Sequence, residues 1–293
     1  MKSTPINDES DLERLHVFLA GLNPPLNLGD LEEQIQIPAI RSTLRLWQQG
    51  NEPVALAYVD SGNNLRYEIT HGWRTTSLEQ EILAWGIDCM RERNARTGHT
   101  DTLDASCRAD DHAGLDFLNK NGFQLEDIRT LEYARSLVDP IPVFSIPPGF
   151  SLRCAAGEVE VHALVDLHRA AFGTDNMTVE ERLAIMRAPS YIPELDLLLT
   201  TPLGELCAFC ICSLSGDDSH TGFTDPIGVH RDYQKRGLGK AILGAGLLSL
   251  QQRGATTAKL GTSSHNLPMQ RLAESLGFTC VSEKLWFSRS IDR

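Results

Sequence analysis

The sequence predicts an α/β chain built on mixed sheets and arranged as two tandem units. Three observations predict this. Residues 225–243, DPIGVHRDYQKRGLGKAIL, run from an apolar strand end through a glycine loop into a helix. The order strands, helix, strand, short helix occurs twice, closing on Asn121-Gly122-Phe123 and again on Leu276-Gly277-Phe278. Between the copies, Pro140, Pro142, Pro147 and Pro148 mark a stretch unsuited to a sheet centre or a helix interior.

Taken in order, residues 45–48, 54–59 and 65–70 read as strands, the last two joined by the turn Ser61-Gly62-Asn63-Asn64. A helix follows over about 78–93, with Leu78, Ile82, Leu83, Ile87 and Met90 mostly on one face. A strand at 102–107 and a short helix through Leu118 complete the first copy. Residues 1–137 are thus one domain, 138–148 a proline-rich linker and 149–293 the second domain. The second copy opens with a strand at 150–153 and a helix over 158–172. Thr178-x-x-Glu181 is a capping-box pattern that starts another helix, ending before Pro189. Strands at 195–200 and 205–213 flank Pro202-Leu203-Gly204.

The glycine loop is a candidate anion site. Gly237 and Gly239 lack a Cβ, so the chain can turn tightly and a ligand can come close. The first turn of a helix leaves backbone N–H groups without internal partners. No Asp or Glu occurs from Lys235 until Glu274, while Lys235, Arg236 and Lys240 flank the loop. This fits a phosphate or pyrophosphate. No Lys-Ser/Thr pair follows Gly239, so the loop is not a Walker loop, and Ile242 occupies the place of a dinucleotide fingerprint's third glycine.

Gln234-x-x-Gly237-x-Gly239 after a strand ending in Val229 resembles the acyl-CoA-binding motif of the GNAT acyltransferase superfamily. The downstream stretch NLPMQRLAESLGF, from Asn266 to Phe278, resembles that family as well. The resemblance implies two GNAT-like domains, each a twisted, mostly antiparallel sheet with splayed central strands flanked by helices. It implies acetyl-CoA as co-substrate, with the pantetheine beside Ile227, Gly228 and Val229. The pyrophosphate would lie on Gln234, Lys235, Arg236, Gly237, Leu238, Gly239 and Lys240, and Asn266 would brace the loop. The tandem arrangement resembles mycothiol-synthase-like acetyltransferases, in architecture only. The family often has a Tyr seven residues after the Asn, acting as general acid. Here that position is Ala273.

The implied reaction is acetyl transfer to a primary amine of a small molecule, by direct attack in a ternary complex. Such a step needs an oxyanion donor, which the family takes from the strand before the loop. It also needs a proton acceptor and a proton for the leaving thiolate. Asp225 is the nearest acid to the splay, and equally a turn residue ahead of Pro226. Ser264 and His265 could stand in for the missing phenol. Tyr191 and Asp196, in PSYIPELD, are candidates for the acceptor side, or members of a plain connector. A non-catalytic acyl-CoA sensor or interaction module is the competing reading, and Ala273 favours it.

The first copy differs at the matching helix start. By eye Ser77 and Glu79 replace the two glycines, Ser77-x-x-Gln80 offers a capping box, and Glu79 and Glu81 are acidic. This end should therefore repel a pyrophosphate, and the first domain should hold no CoA.

The remaining features bound the function. Net charge is −12, of which residues 1–146 carry −10, against a nucleic-acid partner. That acidic half serves solubility or attracts a cationic amine. The start MKSTPINDES lacks a signal-peptide core, and no apolar run is long enough to span a membrane, so a cytoplasmic protein, monomer or homodimer, is expected. Cys207 and Cys210 should point to opposite faces of a strand, and with Cys212 they read as small buried hydrophobes rather than metal ligands, so no metal is expected.

Overall fold

The structure is a computed structural model and describes residues 2–6, 14–15, 18–19, 28–70, 72–215 and 220–291. It divides into two compact units. Unit 1 is 1–129 with 283–293, and unit 2 is 130–282. The boundaries therefore differ from the expected 137, 149 and 293. Residues 138–148 fall wholly inside unit 2, and the last eleven residues return to unit 1.

In unit 1, strands β1 (Lys2–Pro5), β2 (Arg45–Gln49), β3 (Glu52–Val59) and β4 (Leu65–Ile69) form an antiparallel sheet in that order. Helices α1 (Leu28–Gln36) and α2 (Pro38–Arg41) precede β2. The turn between β3 and β4 is held by Asp60, whose Oδ1 accepts N–H bonds from Gly62 and Asn64 at 2.9 Å each. Helix α3 (Thr76–Thr97) buries Leu78, Ile82, Leu83 and Met90. Then follow β5 (Leu103–Arg108) and α4 (His112–Lys120). The end of the chain returns to pair Lys284–Arg289 antiparallel with β5.

In unit 2, β6 (Gln124–Ser136) enters through residues 130–136, which pair antiparallel with β13 (Thr257–Ser263). On its other edge β13 takes β11 (Thr221–Phe223) in parallel, and β11 takes the short β10 (Ser213–Leu214). A second sheet has the order β12 (Ile227–Val229), β9 (Leu206–Ile211), β8 (Asp196–Thr200), β7 (Ser151–Cys154), antiparallel throughout. Consecutive strands β11 and β12 thus belong to different sheets. This is the splay that the family resemblance implies.

Helices α5 (Val161–Phe172) and α6 (Val179–Arg187) share one apolar cluster with Leu198, Phe209 and Ile211 of that second sheet. The Thr178–Glu181 capping box forms as expected. Helix α7 (Leu238–Gln252) packs in the other cluster, with Leu197, Leu199, Ala208 and Cys210. Alternation along β8 and β9 sends successive side chains to these two clusters. Cys207 and Cys210 of β9 and Cys212 just beyond it are buried, with the Cys210 and Cys212 Sγ atoms 3.5 Å apart beneath Gly246. Helix α8 (Leu267–Ser275) and β14 (Thr279–Arg289) complete the chain.

Candidate functional site: a bare helix end beside a forked sheet

The fork opens at Asp225. Up to Thr224 the chain follows β13, and the Thr224 N–H donates to Lys259 O at 3.0 Å. The next donor along β13 is the Gly261 N–H, and the Asp225 carboxylate accepts it at 3.0 Å. Beyond that point β12 leaves for β9. Ile211 donates to Pro226 O at 3.1 Å and His230 donates to Cys207 O at 2.9 Å. These bonds and the Gly228–Phe209 register fix the phase of the ladder. Antiparallel pairing alternates, so Ile227 and Val229 turn their N–H and C=O groups to the opposite, open edge. Gln234 Nε2 takes the Val229 carbonyl at 3.3 Å. The Ile227 and Val229 N–H groups line the fork.

Gly228 is required by packing. A Cβ there would lie 2.4 Å from the Phe209 ring and 2.8 Å from Ala171 Cβ. Its α5 side is thus closed by Phe209 and Ala171, while Val229 Cγ2 points toward Gly239 on the α7 side.

The loop crosses one turn of 3₁₀ helix at Arg231–Tyr233, then turns through two left-handed residues, Lys235 at φ +61° and Gly237 at φ +82°. Helix α7 begins at Leu238. Gly237 is its N-cap, no side chain caps it, and its first turn holds no acid. Around Gly237 there is space for a ligand. A Cβ there would meet only Pro147 Cγ, at 3.7 Å. Lys235 and Arg236 are exposed and Lys240 is half-buried. Unsatisfied N–H groups, the positive helix end and three cations make this end fit a phosphate.

Asn266 is the N-cap of α8, where its Oδ1 accepts the Met269 N–H at 3.2 Å. That helix packs on the start of α7, since Leu272 lies 3.2 Å from the Cβ position of Gly239. Ala273 is fully buried on the same helix, among Leu276, Phe278 and Tyr133. Ser264 and His265 follow the end of β13, beyond Gly261, and Gln270 Nε2 ties the Ser263 and Ser264 carbonyls.

Tyr191 and Asp196 stand elsewhere. Asp196, expected toward an acceptor, is 0% exposed and paired with buried Arg182. The Tyr191 hydroxyl donates to Asp196 Oδ2 at 2.7 Å, and burial and that carboxylate push the phenol's pKa up. Asp196 is thus the anchor of a buried network, not a surface contact. Near it His168 stacks between Phe172 and Phe209, and burial pushes its imidazole pKa down to about 4.

The matching helix end in unit 1 is closed. Its N-cap is Thr75, two residues before the expected Ser77, with Thr75 Oγ1 accepting the Leu78 N–H at 3.3 Å. Thr75, Thr76 and Ser77 all have capping chemistry, and Gln80 is drawn instead to Asn121, at 2.8 Å. Glu79 lies in the first turn and pairs with Arg74 at 2.8 Å, and Arg74 also pairs with Asp111 at 3.0 Å. Glu81 falls beyond that turn. The dipole is therefore answered by the chain itself, as the charge argument anticipates.

A strand that forks from its sheet beside an uncapped, cation-flanked helix end is the arrangement that the resemblance to the GNAT superfamily implies. Residues 162–278 match the model of the acetyltransferase (GNAT) family, which supports acetyl transfer as the class of activity. The chain is 27% identical over 245 residues to the mycothiol acetyltransferase of Thermobispora bispora, covering 80% of this chain and 79% of that one. It is 28% identical to that of an Arthrobacter species, over 61% of this chain and 58% of the relative. Among solved structures, a tandem GNAT protein from the clavulanic acid biosynthesis pathway superposes with TM-score 0.74 at 17% identity, over 99% and 98% of the two chains. A GCN5-related N-acetyltransferase from Sphaerobacter thermophilus gives 0.66 at 19%, over 86% and 81%. The tandem fold is shared. Among the described residues no helix is long and apolar enough to cross a membrane, and no group of His, Cys, Asp and Glu is placed to hold a metal.

Proposed function

We propose that this chain transfers the acetyl group of acetyl-CoA to a primary amine of a small molecule, in a ternary complex, with the cofactor held by unit 2 alone. The observation that carries this is the pairing of a bare helix end at Gly237 with the open edge of β12. The Gln234–Lys240 loop would take the pyrophosphate. The open N–H groups of Ile227 and Val229 would face the thioester carbonyl and the pantetheine amides. The neutral amine attacks the carbonyl carbon, the C–S bond breaks, and the amine loses one proton while the thiolate gains one. Proton transfer is assigned to the groups on the two lips of the fork, Asp225 on one and Ser264 and His265 on the other. Asn266 supports the loop through α8. Tyr191 and Asp196 serve the acceptor side indirectly, by fixing the 188–195 connector.

Unit 1 is a scaffold in this reading, with its helix end satisfied by Thr75, Glu79 and Arg74. The relatives named mycothiol acetyltransferase support a small-molecule acceptor. One observation favours the sensor reading: Ala273 is fully buried, so no side chain reaches the thiolate from that position.

The deciding experiment is thiol release from acetyl-CoA by the full chain against a panel of small amines. Amine-dependent release supports transfer. Tight binding with no release above the amine-free rate, across the panel, supports the sensor.

A further inference from the structure

Residues 138–148 read from the sequence as a linker, but in the structure they are tied along α7 toward the phosphate loop. Arg135, 6% exposed, donates to the carbonyls of Leu276, Asp139 and Pro140. Gln251 Nε2 donates to Leu137 O at 2.6 Å. Ile141 and Phe144 pack on the core of unit 2. Phe144 lies over Gly244, where a Cβ would be 2.4 Å from its ring, so only glycine admits it. The segment then reaches the loop itself, with Pro147 Cγ 3.7 Å from the Cβ position of Gly237. Phe150 meets the Tyr233 ring edge-on, centroids 6.0 Å apart. Tyr233 in turn carries the Arg236 guanidinium 5.1 Å from its ring centroid, and its hydroxyl donates to Glu205 at 2.6 Å.

These contacts run from the proline segment to a cation of the loop. We propose that residues 144–150 form a brace that preorganises the phosphate loop for the cofactor. Phe150, acting through Tyr233, holds the Arg236 guanidinium beside the helix end, and Pro147 supports Gly237. An exposed arginine otherwise loses rotamer freedom on binding, and a cation resting on an aromatic face has already lost part of it. Phe150, Tyr233 and Pro147 are positioning residues here, and touch no reacting atom. The inference rests on the cofactor site proposed above.

The test is isothermal titration of the full chain with CoA, in a cycle of Phe150→Ala, Arg236→Ala and the double variant. Phe150→Ala should weaken binding about five- to tenfold, the size of a lost aromatic–cation support. In the Arg236→Ala background the same substitution should add less than about twofold, since its effect passes through Arg236. Unchanged affinity in Phe150→Ala, or a loss that repeats in full without Arg236, overturns the brace. Tyr233→Leu and Tyr233→Phe give a second route if Phe150→Ala does not fold. Phe keeps the ring and should retain wild-type affinity within about twofold, while Leu should lose as Phe150→Ala does. Equal loss in both overturns the brace. A wild-type chain that binds no CoA overturns the cofactor reading instead.

Discussion

The Asp225 carboxylate accepts the Gly261 N–H at 3.0 Å, taking the place of the next ladder bond between β11 and β13. The two strands part there, so one side chain marks the mouth of the fork. Asp225→Asn keeps an oxygen for that N–H but cannot take a proton. It should keep the melting temperature within about 2 °C and lower turnover about a hundredfold, the scale of a lost general base. Asp225→Ala should also lower stability by about 1 kcal/mol. Full turnover in the Asn variant would leave Asp225 with a structural part alone.

Arg182 and Asp196 are 3% and 0% exposed. Removing one member of a buried pair strands the other, at about 3–5 kcal/mol. Denaturant melts of Asp196→Ala should show a loss of that order, and Tyr191→Phe a loss of about 1 kcal/mol for one hydrogen bond. A melt of Asp196→Ala within 1 kcal/mol of wild type, on the scale of a surface site, would contradict the assigned network.

Ala273 is fully buried, so a phenol at that position would overpack the core. Ala273→Tyr should lower stability by about 1–3 kcal/mol and bring no gain in turnover. A stable variant with faster thiol release would show that the position can host a general acid after all.

His168 is held neutral by burial, with its pKa at about 4 in the folded chain. Its folded pKa lies below the unfolded one, so the unfolded chain takes the proton first as pH falls. Stability from this site is therefore full at neutral pH and declines from about pH 6.5 toward pH 4. Thermal melts of His168→Phe should fall less steeply than wild type across that window. Parallel curves would rule out the contribution.

Much of the site can be read in the sequence because it depends on local chemistry. A helix start with two glycines, three cations and no acid advertises itself, as does the Thr178–Glu181 cap. The start of α3 could not be placed from sequence, since Thr75, Thr76 and Ser77 are equivalent caps and Gln80 finds its partner in Asn121. The pairing of Arg182 with Asp196 joins two elements with no spacing rule between them. The prolines of 138–148 show where a sheet cannot be, but not that Phe144 needs Gly244 as its seat. The return of the last residues to β5 is a long-range pairing that carries no local signal.

The central claim is one cofactor site per chain, at the uncapped start of α7. Calorimetric titration of the full chain with CoA measures it directly, in wild type and in Gly237→Glu, with melting curves as control because φ +82° disfavours any side chain there. The account predicts one CoA per wild-type chain and none in a folded Gly237→Glu variant. Two CoA per chain, or undiminished affinity in that variant, would contradict it.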